Sequence, residues 1–536
     1  MYGLHFHIQP PAVEPDPHRM DIACFIGYVA RRPGPVPAAV RRFLEQGGWT
    51  RRVNPAAIDA LLQVPVPVDT WQGFESVFDW RARSAVTVGG SVDSALGAAV
   101  RTFVDQGGRK CYVVRVGDPW PADERMTNGV RQERLAQLFP RQAGVPGPGF
   151  GERDHLQGLD LLRGLPACAM VLLPDLPDLA ADLPPVPEPV AEPEPVAEDF
   201  VACADGERPA PPRNAAAALT PPRCDEAGYE RWCAAVREVG RFLANHRRDV
   251  QFVASLPLPA TRSRAARDVV EFLVDHDFGA GRFGLGPADP SRRPHPATEL
   301  SCASAFVQLA YPWLRLPGAE QLPGGLHPPE GLLAGILAGN AMTRAAYASA
   351  AMTRVPEVWS IEPALPRDPA RLDPPALEES PDQAALRWSA RLSLFGPTPA
   401  GFRLLSDVTT SLDPSYRPAC VNRLVSVIVR AARRVGEEFA FEPSGERLWA
   451  RIRGRIGALL TALWEQGALA GANPDAAFEV RCDRSTMTQA DLDAGRAVCR
   501  VSFSAAAPVE RIDVWLALSE EGAVQLARTA AAAAQA

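Results

Sequence analysis

The 536 residues are enough for about two to four domains with real cores, and 46% hydrophobic content excludes a disordered chain. A net charge of −7 speaks against nucleic acid as a partner, because such surfaces carry a basic excess. No apolar run reaches the ~18 residues of a spanning helix, so no direct membrane insertion is expected.

In chain order, residues 2–9 come first. Tyr2, Leu4, Phe6 and Ile8 alternate with Gly3, His5, His7 and Gln9, the period of a strand with one apolar face. His5 and His7 have no acid or cysteine nearby, so exposed strand histidines are a better reading than a metal site. The opening MYGLHFHIQPP lacks the layout of a signal peptide, which predicts folding in the cytosol. A proline-rich spacer, PPAVEPDPH, follows.

From residue 21, short apolar runs alternate with helical patterns. The runs are DIACFIGYVA (21–30), CYVVRV (111–116), ACAMVLLPDL (167–176), DVQFVASLPL (249–258) and SAFVQLAYPWL (304–314). Near-continuous apolarity is the mark of strands buried on both faces of a parallel sheet. Amphipathic helices are predicted over 94–108 and 229–246. The fold class is therefore an α/β core, mostly parallel sheet with flanking helices.

Two segments interrupt this rhythm. The tract 177–224 contains the tandem repeat PEPVAEPEPVAE (187–198) and reads as a disordered, solvent-exposed Pro/Ala/Glu-rich insertion. GAGRFG (279–284) matches a dinucleotide fingerprint, but a helical pattern precedes it and a proline-rich loop follows, the wrong context for phosphate binding. His276, between Asp275 and Asp277, has no accompanying nucleophile motif and reads as a helix-end polar cluster.

After Pro374 the pattern becomes two long helices, 416–439 and 444–467, then strands at 477–483, 499–505 and 510–519. In the second helix Leu448, Ile452, Ile456, Leu459 and Leu463 form the apolar stripe, and Arg447, Arg451 and Arg455 make a row of like charges. Such a row is either a solvated face or a contact for an acidic partner. In the last strand Ile512, Val514, Leu516 and Leu518 share a face, and the alanine-rich end reads as a frayed tail.

The stretch QGALAGANPDAAFEVRCDRSTMTQADLDAGR (466–496) is dense in charge and contains Cys482, but its polar groups have structural uses. Glu479, Arg481 and Asp483 are one face of a strand whose other face is Phe478, Val480 and Cys482. Thr488 caps a helix with Asp491 as a capping-box-like partner. Gly471 and Asn473-Pro474 mark a turn. No nucleophile, base and oxyanion donor converge there. The ten cysteines, scattered singly without zinc-ligand spacing, are expected to be reduced and mostly buried.

The same residues carry a family resemblance. ERLWARIRGRI (446–456) followed by LWEQGALAGANPDAAFEVRCDRSTMTQADLDAGR (463–496) resembles the C-terminal signature of contractile tail sheath proteins. VPVDTWQGFESVFDW (66–80), AAVRTFVDQGGRKCYVVRV (98–116), AYPWLRLP (310–317) and PPEGLLAGILAGNAMTRAAYASA (328–350) are weaker matches in the same order. The N-terminal arm, the 177–224 insertion and the length after Ser519 depart from the family pattern.

The resemblance implies a structural subunit, not an enzyme, with no catalytic, cofactor or metal residues. Its homo-oligomer would be sixfold rings stacked helically around an inner tube protein, assembled in the cytoplasm as part of a phage-tail-like particle, released or anchored. Further implied partners are baseplate and terminator proteins and a second sheath paralogue. The arms (Tyr2, Leu4, Phe6, Ile8 and Ile512, Val514, Leu516, Leu518) would add strands to an acceptor sheet formed by Phe478, Val480, Cys482, Val501 and Phe503. Arg447, Arg451 and Arg455 are candidates for contacting the tube. The expected division is an N-terminal arm and spacer (1–20), an outer α/β part (21–374), an α+β C-terminal sheath domain (375–506), a strand arm (507–519) and a tail (520–536). The rivals are a cytosolic α/β nucleotide-binding enzyme and a non-contracting sheath-like adaptor at a tail end or baseplate.

Overall fold

The apolar runs of the first 404 residues become the strands of one sheet. The computed structural model describes residues 19–49, 59–86, 89–124, 126–139, 156–181, 219–260, 302–365, 388–411, 413–439, 442–443, 445–493 and 497–506, with two short strands at 515–518 and 524–527. The sheet strands are β1 (Ala23–Tyr28), β2 (Pro65–Val68), β3 (Cys111–Gly117), β4 (Met170–Leu172), β5 (Gln251–Ser255), β6 (Val307–Tyr311), β7 (Ser393–Thr398) and β8 (Gly401–Leu404).

Their order is β8-β7-β6-β5-β4-β1-β3-β2. The six inner strands are parallel, with register fixed by pairs such as Phe25↔Val113, Phe25↔Leu172 and Ala254↔Leu309. Both outermost strands are antiparallel to their neighbours. Every residue of β1, β5 and β6 is buried, as continuous apolarity requires. Proline at alternate positions 65 and 67 removes N–H donors from β2, which blunts that edge of the sheet.

Helix α1 (Ala95–Asp105) begins where the Ser94 hydroxyl accepts from Gly97 N at 3.2 Å, and it buries Leu96, Ala99, Val100 and Phe103. Helix α2 (Glu226–His246) is capped by Asp225, which accepts from Gly228 N at 2.8 Å. Helix α3 (Glu330–Thr343) crosses α1 at very short range. A Cβ on Gly331 would lie 2.3 Å from Ala99 O, and one on Gly335 2.6 Å from Phe103 O, so only glycine permits the crossing.

The chain then adds α4 (Ala419–Glu438), α5 (Glu446–Glu465) and an antiparallel pair, β9 (Phe478–Arg481) with β10 (Arg500–Phe503). These build a second core from Leu424, Ile428, Ile456, Leu460, Leu463 and Leu469, separate from that of the sheet. Strand β11 (Trp515–Leu518) pairs antiparallel with β12 (Val524–Ala527).

Three boundaries differ from expectation. The α/β unit does not end at 374: β7 and β8 complete its sheet, and β7 pairs with β6 through Ala310↔Ser393 and Tyr311↔Leu394. The run LSLFG that carries β7 was too short to stand out from the surrounding loop. The 177–224 insertion is narrower than its composition suggested. Pro177, Leu179 and Ala180 are buried in a short helix (Leu176–Ala180), and Arg223–Cys224 pairs with Leu258–Pro259; residues 182–218 lie outside the described residues. The segment expected to be a frayed tail after 519 contributes β12.

Candidate subunit interface

The two long C-terminal helices present opposite faces to core and solvent. Leu448, Trp449, Ile456, Leu460 and Leu463 of α5 are buried, while Arg447, Arg451, Arg453 and Arg455 are exposed. The arginine row is partly neutralised by the end of α4 and the turn that follows it. Arg451 reaches Glu442 at 2.6 Å with its guanidinium 4.5 Å from the Phe439 ring centre, and Arg455 reaches Glu438 at 3.0 Å. Both pairs are exposed enough to be worth at most ~1 kcal/mol each. Arg447 makes no ion pair among the described residues. Glu438 and Glu442 reach α5 only through the helix–helix turn, so spacing along the helix could not reveal them.

Beyond α5, Asn473 caps a one-turn helix by accepting from Ala476 N at 2.9 Å, and β9 starts immediately after it. The acceptor-sheet residues named from sequence do come together. Phe478 is opposite Phe503 and Val480 opposite Val501, and all four lie half-buried on the second core. Cys482 is buried with Phe439, Leu448, Trp449 and Met487. Glu479, Arg481, Arg500 and Ser502 form the exposed face, with Arg481 and Glu479 2.6 Å apart. At the end of β9, Asp483 and Thr486 make a reciprocal capping box, and the Thr486 hydroxyl donates to Val498 O at 2.7 Å, tying the loop back to β10. The short helix expected after Thr488 is present at Gln489–Asp493.

The parity of the ladder decides which backbone groups are spare. Ser504 N donates to Ala477 O at 2.9 Å, so Glu479–Ser502 and Arg481–Arg500 are the hydrogen-bonded pairs. Ala470 N also donates to Ser504 O, which places 468–470 on the β9 side of this strand. The N–H and C=O groups of Val501 and Phe503 therefore point to the opposite edge, where no described residue bonds to them. Val480 leaves a shorter bare edge on β9. Alternation alone could not reveal this, since spare edges depend on how strands are ordered.

Of the terminal arms, Leu516 and Leu518 fall in β11, opposite Leu526 and Val524. Tyr2, Leu4, Phe6, Ile8, Ile512 and Val514 lie outside the described residues, as do His5, His7, His276 and the GAGRFG loop. Nine cysteines are described, all reduced; eight are buried and Cys499 is half-buried. Among the described residues no His, Cys, Asp and Glu group could hold a metal, and no helix is long and apolar enough to cross a membrane.

No family model matches the sequence, and no curated protein matches it. Solved structures do match. A chain of the anti-feeding prophage baseplate in the contracted state aligns over 97% of this chain and 98% of its own, with 18% identity and a TM-score of 0.58. A chain of the sixfold-symmetrised baseplate of that particle aligns over 97% and 99%, with 17% identity and a TM-score of 0.53. A chain of its helical sheath in the contracted state aligns over 97% and 100%, with 17% identity and a TM-score of 0.51. The likeness runs the length of both chains and establishes a shared fold.

Proposed function

We propose that this chain, built on the fold of the anti-feeding prophage helical sheath, is a non-enzymatic structural subunit of a contractile sheath. The observation that carries the reading is the edge of β10, where Val501 and Phe503 offer backbone groups that no described residue pairs with. An open edge in a soluble chain is an aggregation hazard unless pairing is its purpose. Subunits stack as sixfold rings around an inner tube, and a terminal strand of one subunit adds to the β9–β10 sheet of the next. Contraction rotates the subunits outward while these strands stay joined.

On this reading Arg447, Arg451 and Arg455 face the inner tube. Glu438 and Glu442 make that face mixed in charge, so it guides register more than it adds affinity. Imaging of purified protein by negative stain tests the proposal: striated tubes are expected, and a uniform population of monomers under all assembly conditions would sink it.

Two of the matched structures are baseplates, which favours one second reading, a sheath-like adaptor seated at the baseplate. That reading gives single rings in the same images.

A further inference from the structure

Three pairs of neighbouring thiols occur among the described residues: Cys24 with Cys168, Cys233 with Cys302, and Cys482 with Cys499. The first two are sealed inside the α/β core. The third differs in access and in geometry. Cys499 is half-buried and so within reach of a small oxidant, and the two thiols lie near enough to perturb one another. The β9–β10 ladder sets Val480 against Val501 and Arg481 against Arg500; Cys482 and Cys499 are the residues that follow on the two strands, and both pack with Leu448, Trp449 and Met487. Arg481–Arg500 is a hydrogen-bonded pair, so one further step of the ladder brings the cysteines to a non-hydrogen-bonded position. Opposed residues approach most closely there, with Cα atoms about 4.5 Å apart, inside the span that a disulfide bridges.

We infer that Cys482 and Cys499 are a modification site at which a peroxide joins the two sulfurs in a disulfide, stapling β9 to β10. The Cys499 thiolate attacks one peroxide oxygen, breaking the O–O bond to give a sulfenic acid and hydroxide, which takes up a proton. The Cys482 sulfur then displaces water from the sulfenic acid. Two thiols and one peroxide become one disulfide and two waters, with one electron leaving each sulfur. The staple closes the loop that Thr486 already holds to Val498, and it fixes the register of the edge that receives a neighbour's strand. That last consequence rests on the sheath reading; the chemistry does not.

Burial, with Cys482 alongside, pushes the Cys499 thiol up to about 12, so its thiolate is scarce at neutral pH and the reaction is slow. The test treats the full-length, unassembled protein with hydrogen peroxide, alkylates it under denaturing conditions and maps tryptic peptides. The expected product joins Cys482–Arg484 to Ala497–Arg500 with loss of two hydrogens. Its rate should rise about tenfold per pH unit between about pH 7 and 9 as thiolate accumulates. Cys499→Ser should abolish the product, and Cys482→Ala with Cys499→Ala should keep the circular dichroism spectrum of the parent. Linkage of either cysteine to a different one, or only sulfinic acid at Cys499, would overturn the assignment without touching the sheath reading. A cross-link that forms in protein never able to polymerise would leave the site standing and count against the sheath.

Discussion

The Arg423 guanidinium lies 2.6 Å from the Asp407 carboxylate, and both side chains are shut away from water where α4 docks on the sheet. Arg423 also donates to Ala346 O at 2.7 Å, and Asp407 accepts from Gln308 at 2.9 Å and from Ala350 N at 2.8 Å. Seven residues further along α4, Arg430 donates to the carbonyls of Arg19 and Ala167, both at 3.2 Å, and sits 3.2 Å from Asp249. Two buried arginines thus fasten the strand-bearing C-terminal part to the α/β unit.

Removing one partner of such a pair strands a buried charge. Arg423→Ala should cost about 3–5 kcal/mol in urea unfolding, whereas Arg423→Met combined with Asp407→Leu should recover most of that loss. Burial alone would push the Asp407 carboxyl up, but Arg423 outweighs it and holds it below the usual range. Stability from this pair is therefore present above the ordinary carboxylate pKa and lost as pH falls through the lowered value. Equal stability of Arg423→Ala and the parent would show that the pair is idle.

Glu330 should produce the opposite pH dependence. It is buried at the start of α3, neither carboxylate oxygen has a hydrogen-bond partner among the described residues, and burial, reinforced by Asp175, raises it to about 8. The folded state holds a proton that the unfolded state releases, so stability is full below the ordinary carboxylate pKa and falls as pH rises to about 8. Glu330→Gln should leave Tm near pH 5 little changed and raise it at pH 8.5. A parallel pair of Tm-against-pH curves would refute this.

The bare edge of β10 can be blocked without disturbing its ladder. Proline is tolerated where the lost N–H points off the sheet, as it does at Val501. Val501→Pro should give folded monomers that do not polymerise. Deleting residues 1–10, or placing Asp at both Val514 and Leu516, should do the same with circular dichroism and Tm barely changed. Each arm offers four apolar side chains worth roughly 0.2–1 kcal/mol apiece, which is weak alone and strong when multiplied around a ring. Tubes of normal length from Val501→Pro would place strand addition elsewhere.

Arg447 separates tube contact from intrachain pairing, because Arg451 and Arg455 already have acidic partners, Glu442 just beyond α4 and Glu438 at its end. Arg447→Glu should change stability by less than about 0.5 kcal/mol, as surface substitutions usually do, yet uncouple sheath from tube and leave tube-free polymer. Exchanging all three arginines for Glu should do so more completely, at a small added cost from facing Glu438 and Glu442. Extended, tube-filled particles from both variants would make this row a solvated face.

The sequence by itself determined the elements and their faces. Continuous apolarity marked five inner strands of the sheet, the α5 stripe predicted which side of that helix is buried, and alternation put Phe478, Val480, Val501 and Phe503 on one face. These follow from local periodicity, since 2.0 and 3.6 residues per repeat fix which side chains point together. Tertiary structure decided what meets across space. It brought LSLFG into the first sheet, set Glu438 and Glu442 against the arginine row, packed Cys499 in one cluster with Cys482 and, among the described residues, left the far edge of β10 bare. Register and strand order arise when separate elements pack, and a one-residue slip would turn the same sequence inside out.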